Sequence, residues 1–286
     1  MIAADRLALG ASTSCLGQGL EKSILALRGF AFIELGANHH YEEGAVETVD
    51  RLRERHDLRL LIHGCFPPLR TWFILNPASQ ETETLQETRR LILNMIHLAQ
   101  RWEVPLISLH PGFTAYPTRP TGKDPGRAVV PYSTALRTAW ESFRIFIDDS
   151  QGDVEIIVEN LPGEPATMMR GPEEIIEFVE GLGIGLLLDV GHLHVSARRM
   201  GFDFAAGVRA VAPYVRELHL HDNDGQADQH LPLGRGTIDF SVLREVRAPY
   251  PVLETYGDPT ELRRSAERWR RIIAAECQTR EELERR

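Results

Sequence analysis

Between His219 and His230 the chain places His219, His221, Asp222, Asp224, Asp228 and His230 within twelve residues. Imidazole and carboxylate groups are the ligand types that hold zinc, manganese or iron. Several such side chains reach one point only where the backbone bends, and Gly225, Gly234 and Gly236 of the 219–240 stretch allow it. A solvated acidic loop would look similar, so the reading needs support from elsewhere in the chain. That support lies at the ends of short apolar runs, where Glu34, His63, His110, Glu159, Asp189, His219 and Glu254 stand. The last six of these, with His192, three residues after Asp189, and Asp228 with His230, give nine candidate ligands: His63, His110, Glu159, Asp189, His192, His219, Asp228, His230 and Glu254. One such residue alone is more often a hydrogen-bonded surface group. Six consecutive runs ending this way are not a chance pattern.

The elements that must position these residues are legible as an alternation. Apolar runs at 7–11, 31–35, 58–63, 106–110, 154–159, 184–189, 215–220 and 251–254 are short and rich in Ile, Leu and Val, as strands buried on both faces are. Helical patterns near 18–28, 44–56, 81–102, 133–148, 172–179, 204–212, 241–246 and 259–276 separate them and close the chain. Alternating strands and helices imply a parallel sheet, and eight units close into a (β/α)₈ barrel. A doubly wound open sheet is the alternative, but no GxGxxG follows the first run and no GxxxxGK[ST] occurs. The expected fold is therefore an α/β TIM barrel forming one domain over 1–286. In that fold the C-terminal strand ends meet at one mouth, where the ionisable residues would gather.

Composition narrows the partners. A net charge of −9 argues against a general nucleic-acid binder, since phosphate contacts need Lys and Arg. Cys15, Cys65 and Cys277 form no CxxC pair and leave an odd thiol, so a disulfide framework is not expected. No basic, apolar leader and no run approaching ~18 apolar residues is present, so a soluble cytoplasmic protein without a membrane partner is expected.

The motifs HGCF, SLHPG, VEN, LDVGH, HLHDN, DQH and VLE, in this order from Glu34 to Glu254, resemble the xylose-isomerase-like TIM-barrel superfamily. That superfamily includes sugar phosphate isomerases and epimerases and the endonuclease IV group of AP endonuclease family 2. Resemblance to the epimerase branch implies one Mn²⁺-type ion on Glu159, Asp189, His219 and Glu254. Glu159 and Glu254 would double as the acid–base pair, and His192 would contact substrate. Resemblance to the endonuclease IV group implies three zinc ions. His63, His110 and Glu159 would hold the first; Glu159 would bridge to a second on Asp189, His219 and Glu254; His192, Asp228 and His230 would hold the third. The implied cofactors are thus divalent ions, Zn²⁺ or Mn²⁺, one to three per chain.

Two departures weigh against the endonuclease branch. Asp189-Val190-Gly191-His192 stands where that group usually has Asp-Thr-Cys-His, and His221 stands where it tends to have Asn. Arg235 replaces a Glu that often sits between the glycines of the last motif, and could bind a substrate phosphate or point to solvent. Glu34, Phe66, His221 and Arg235 are the substrate-binding candidates, with Phe66 read as a base wedge or an apolar wall for a sugar. Glu34 could instead orient a ligand histidine. Arg119, Lys123 and Arg127, with Arg70 beside Trp72, give weak support for DNA. His39, His40 and His97 carry no ligand spacing, and His194 could support the site from behind. The charged last helix would cover the barrel or an oligomer contact. The expected activity is a divalent-metal-dependent isomerase or epimerase of a sugar or sugar phosphate. The alternative is a three-zinc phosphodiester hydrolase acting on abasic DNA or another phosphate ester.

Overall fold

The computed structural model describes residues 8–36, 41–71, 73–115 and 129–284, with side chains of the last helix through 274. Eight parallel strands, β1 (Gly10–Ser12), β2 (Ile33–Leu35), β3 (Leu60–His63), β4 (Leu106–Leu109), β5 (Glu155–Glu159), β6 (Gly185–Asp189), β7 (Val215–Leu220) and β8 (Tyr250–Leu253), pair in sequence order. β8 pairs with β1 through Gly10↔Val252 and Ala11↔Leu253, which closes the barrel. Around it lie α1 (Leu20–Leu27), α2 (Ala45–Arg55), α3 (Thr82–Arg101), α4 (Tyr132–Ser150), α5 (Pro172–Leu182), α6 (Val190–Met200), α7 (Phe204–Val211) and α8 (Pro259–Glu284). This is the expected (β/α)₈ barrel.

Alternation along the strands decides where the site lies. Side chains two residues apart share a face, and the inward set reads apolar first and ionisable next. Phe32 precedes Glu34, Leu61 precedes His63, Ile157 precedes Glu159, Leu187 precedes Asp189 and Val252 precedes Glu254. Phe32, Leu61, Leu106, Ile157, Leu187 and Val252 pack as a cluster of their own inside the barrel, none more than 4% exposed. The intervening Ile33, Ile62, Val158, Leu188 and Leu253 join the larger core shared with the helices. Burying each of these side chains contributes roughly 1.5–3 kcal/mol. The apolar plug therefore floors the barrel, and the ionisable layer sits directly on it.

Three local expectations change. The first strand is Gly10–Ser12, not 7–11, and the segment near 241–246 is a 3-10 turn, Phe240–Glu245. α6 was not expected at all. Asp189 ends β6 and at once caps the helix that follows, its carboxylate accepting from His192 N at 2.7 Å, so no loop separates the two elements. Among the described residues, no helix is long and apolar enough to cross a membrane.

Candidate metal centre

His63, Glu159 and Asp189 end their strands, His219 stands one residue inside the end of β7, and His110 and Glu254 directly follow β4 and β8. His192 comes from the first turn of α6. Asp228 and His230 come from the loop after β7, which Asp222 organises. The Asp222 carboxylate accepts from the N–H groups of Asn223, Gly234 and Ile238 at 2.9, 2.8 and 3.1 Å. Its own backbone pairs with Leu231 in both directions at 2.8 Å.

These side chains form a continuous set. His63 Nε2 and His110 Nε2 lie 3.4 and 2.8 Å from Glu159 Oε2. His219 Nδ1 lies 3.0 Å from Glu254 Oε2, 3.7 Å from Glu159 Oε1 and 3.8 Å from Asp189 Oδ2. Asp228 Oδ2 lies 3.3 Å from His192 Nε2 and 3.1 Å from His230 Nε2. The sets His63/His110/Glu159, Glu159/Asp189/His219 and His192/His221/Asp228/His230 each bring one donor atom per residue within 4.8 Å of the others.

The far nitrogen of each of four imidazoles is tied down. His63 Nδ1 meets Ser108 Oγ at 3.1 Å, His192 Nδ1 meets the Asn160 carbonyl at 2.9 Å, and His230 Nδ1 meets the Glu254 carbonyl at 2.7 Å. His219 Nε2 meets Glu34 Oε2 at 2.9 Å. A ring that donates from one nitrogen presents a lone pair at the other, and partners of this kind are what orient ligand histidines. Glu159 Oε2 accepts no aligned hydrogen bond despite two imidazole neighbours, and His219 Nδ1 makes none despite Glu254. Buried groups this close that do not bond one another are aimed at points between them, and nitrogen and oxygen donors so arranged fit divalent metal.

Charge balance is local. Burial works to raise the Glu159 carboxyl, but His63 and His110 outweigh it and hold it well below the usual range. Burial opposes ionisation of Glu254 too, and His219 and His230 overcome it. Burial disfavours the charged forms of His192 and His219, yet neighbouring carboxylates lift both well above the ordinary histidine value. His230 is lifted to about 9, against burial, by its bond to Asp228 and the charge of Glu254. Only burial wins at His63, which is pushed down.

The substrate-binding candidates fare differently. Glu34 is fully buried and bound to His219, the orienting arrangement. Phe66 is 1% exposed and packs in the core against Trp102, centroids 5.8 Å apart, so it is neither wedge nor wall at the mouth. The turn after His63 carries its ring back into apolar surroundings, where burial is worth more than exposure at a polar mouth. His221 is fully buried, Nε2 3.0 Å from both Asp189 oxygens. Arg235 stands apart, 64% exposed at its side chain and 3.7 Å from Glu261 on α8. His97 is an exposed partner of Asp149, and His194 bonds Asn223. Arg70 is exposed and lies over the Tyr41 ring. Trp72, His39, His40, Arg119, Lys123 and Arg127 lie outside the described residues.

Several residues of the site escaped the reading by types and spacing. Asn160, the N of VEN, brackets Asp189 by accepting from its N–H at 2.8 Å and donating to its carbonyl at 3.0 Å. Tyr256 stacks on His230, centroids 4.5 Å apart. Glu217, fully buried beside Leu187 in the register, is pushed well above the carboxylate range by burial and then by Glu34. Its place in β7, two residues before His219, was the available signal.

The solved D-tagatose 3-epimerase-like protein superposes with a TM-score of 0.76, 20% identity, and 95% of this chain and 99% of that chain covered. D-psicose 3-epimerase with D-tagatose from Clostridium cellulolyticum gives 0.71, 13%, 93% and 99%. A protein from Thermus thermophilus soaked with zinc chloride gives 0.67, 20%, 94% and 98%. In sequence, an uncharacterised protein of Methanocaldococcus jannaschii is 26% identical over 217 residues, 75% of each chain. At these identities the superpositions speak for the fold. The model of the xylose isomerase-like TIM barrel family matches residues 24–274. The chain belongs to the xylose isomerase-like TIM barrel family.

Proposed function

We propose that the chain, one domain over 1–286, is a cytoplasmic, divalent-metal-dependent isomerase or epimerase of a sugar or sugar phosphate. The observation that carries this is the meeting of Glu159, Asp189 and Glu254 around His219 Nδ1, at 3.7, 3.8 and 3.0 Å. Epimerases among the structural neighbours support the same chemistry. Glu159, Asp189, His219 and Glu254 would hold the ion. When bound, such an ion polarises the carbonyl and hydroxyl oxygens of a sugar. Glu159 and Glu254 are held ionised by their imidazole neighbours, the state in which a carboxylate takes a proton from the carbon beside a carbonyl. Each would serve one face of the substrate: one carboxylate takes the proton from carbon, and the other, protonated from solvent beforehand, delivers its proton on the opposite face, which inverts the centre. Glu34 and Asn160 keep His219 and Asp189 in position.

One observation favours a second reading. The third donor set, His192, Asp228 and His230, exceeds what a one-ion isomerase needs, and clustered ions suit phosphoester hydrolysis. Metal-loaded protein tested on ketoses, sugar phosphates and abasic DNA in deuterated water separates the two. The first reading expects solvent deuterium in the product, lost in E159Q and E254Q. Phosphoester cleavage without deuterium incorporation overturns it in favour of the second.

A further inference from the structure

Asp189 is fully buried, and its two oxygens are unequally served. Oδ1 accepts from His192 N at 2.7 Å, the cap of α6, and from His221 Nε2 at 3.0 Å. Among the described residues Oδ2 accepts from His221 Nε2 only, also at 3.0 Å. A carboxylate oxygen offers two acceptor positions, so Oδ1 is filled and one position is left on Oδ2. His219 Nδ1, which makes no hydrogen bond, stands 3.8 Å from Oδ2, beyond bonding reach.

The chain makes room for His221 to do this. Gly191 is the second residue of α6, and its backbone is not in the left-handed region, so the turn does not call for glycine. Its reason is spatial: a β-carbon at 191 would collide with Cε1, Nδ1 and Nε2 of the His221 ring. Asn223 Nδ2 donates to the Gly191 carbonyl at 2.9 Å, which fixes the loop after β7 to α6 at the same spot. On the other side the His230 ring stacks on His221, centroids 4.0 Å apart and 13° between planes. The two stacked rings serve different carboxylates. His230 Nε2 meets Asp228 Oδ2 at 3.1 Å, whereas His221 Nε2 lies 3.7 Å from Asp228 Oδ1 and bonds Asp189. His221 is fully buried, so no substrate reaches it.

We propose that His221 is a positioning residue: its Nε2–H, with the cap of α6, occupies Asp189 so that a single position on Oδ2 is left for the divalent ion. Gly191 is there to admit its ring. The inference rests on the reading that Asp189 is a metal ligand. Asp189 then binds through one oxygen, and its carboxylate cannot turn without breaking the bonds from His192 N and His221. A ligand held in its bound pose gives up little freedom when the ion arrives, which strengthens binding.

The test uses full-length wild type, D189N, H221Q, H221L and G191A. Gln carries an N–H donor on a side chain of similar reach, and Leu fills similar space without one. Manganese is the probe. Free Mn²⁺ is read by electron paramagnetic resonance during titration, and the binding step lost in D189N identifies the ion on Asp189. That step should weaken about 10–100-fold in H221L and in G191A, and by less than about threefold in H221Q. Thermal melts of metal-free protein show which variants fold. Zinc-loaded wild type gives a second measurement that needs no variant. In its crystal structure Oδ2 should lie about 2.0–2.2 Å from the ion while Oδ1 stays on His192 N and His221 Nε2. Wild-type affinity in a folded H221L overturns the proposal, as does a folded H221Q as weak as H221L, which would make the ring mere packing. Asp189 bound through both oxygens, or His221 turned away from it, overturns the proposal in wild type. Wild type that takes up neither ion overturns the metal reading itself, and the proposal with it.

Discussion

Glu34 Oε2 accepts from His219 Nε2 at 2.9 Å, from β2 to β7 across the inside of the barrel, and this bond turns His219 Nδ1 toward Glu254, Glu159 and Asp189. Both residues are fully buried, so the ring has no solvent partner to fall back on. The orientation of the central imidazole therefore depends on a residue that need not touch metal or substrate.

E34Q should weaken divalent-metal binding by about 10–100-fold, the usual cost of losing an orienting partner of a ligand histidine. Chelator competition measures it. Unaltered affinity in a folded E34Q protein contradicts the role given to Glu34.

Metal-free protein should lose stability as pH rises above neutral. His230 is lifted from 6.5 to about 9 in the folded chain. A raised value means that the bound proton stabilises the fold. That contribution is complete below 6.5 and is lost as pH rises through about 9, and His192 and His219 shift in the same direction. Urea midpoints of metal-free protein should fall across that window, and zinc uptake near neutral pH should release protons. Midpoints that stay level or rise are the contrary result.

Much of this was legible in the residues. Short apolar runs ending in His63, Glu159 and Asp189 betray strands buried on both faces, because they are too short for helices and alternate with helical patterns. The first strand was harder: the apolar run ends at Ala11 and Ser12 reads as the start of a turn, yet Ser12 joins Gly10 and Ala11 in the strand by pairing with Glu34 of β2. α6 was hidden because Asp189 serves two elements and Gly191 looks like a breaker. Phe66 and Arg235 sit beside the ligand motifs in sequence, but local turns send one into the core and the other toward α8. The roles of Asn160, Asp222 and Tyr256 arise from contacts between elements, which types and spacing do not encode.

Leu187, 0% exposed in the plug beneath the ionisable layer, supports the site mechanically. L187A should destabilise the protein by about 2–5 kcal/mol, read from urea unfolding. A loss below about 1 kcal/mol would mean that the plug closes without strain around the vacancy.

H230A separates the two functional readings. Under the isomerase reading its turnover should fall less than tenfold, while E254Q should lose roughly 100-fold or more, the scale of a missing acid–base group. Steady-state kinetics on a responsive ketose or phosphate ester reads both. Equal, severe losses would favour a hydrolase that needs all three donor sets.

Anomalous diffraction from crystals grown with zinc or manganese would locate the ion among Glu159, Asp189, His219 and Glu254. A metal peak is expected about 2.0–2.2 Å from carboxylate oxygens of Glu159, Asp189 and Glu254 and about 2.0–2.1 Å from His219 Nδ1. A mouth without a peak in fully ordered, metal-soaked crystals would contradict it.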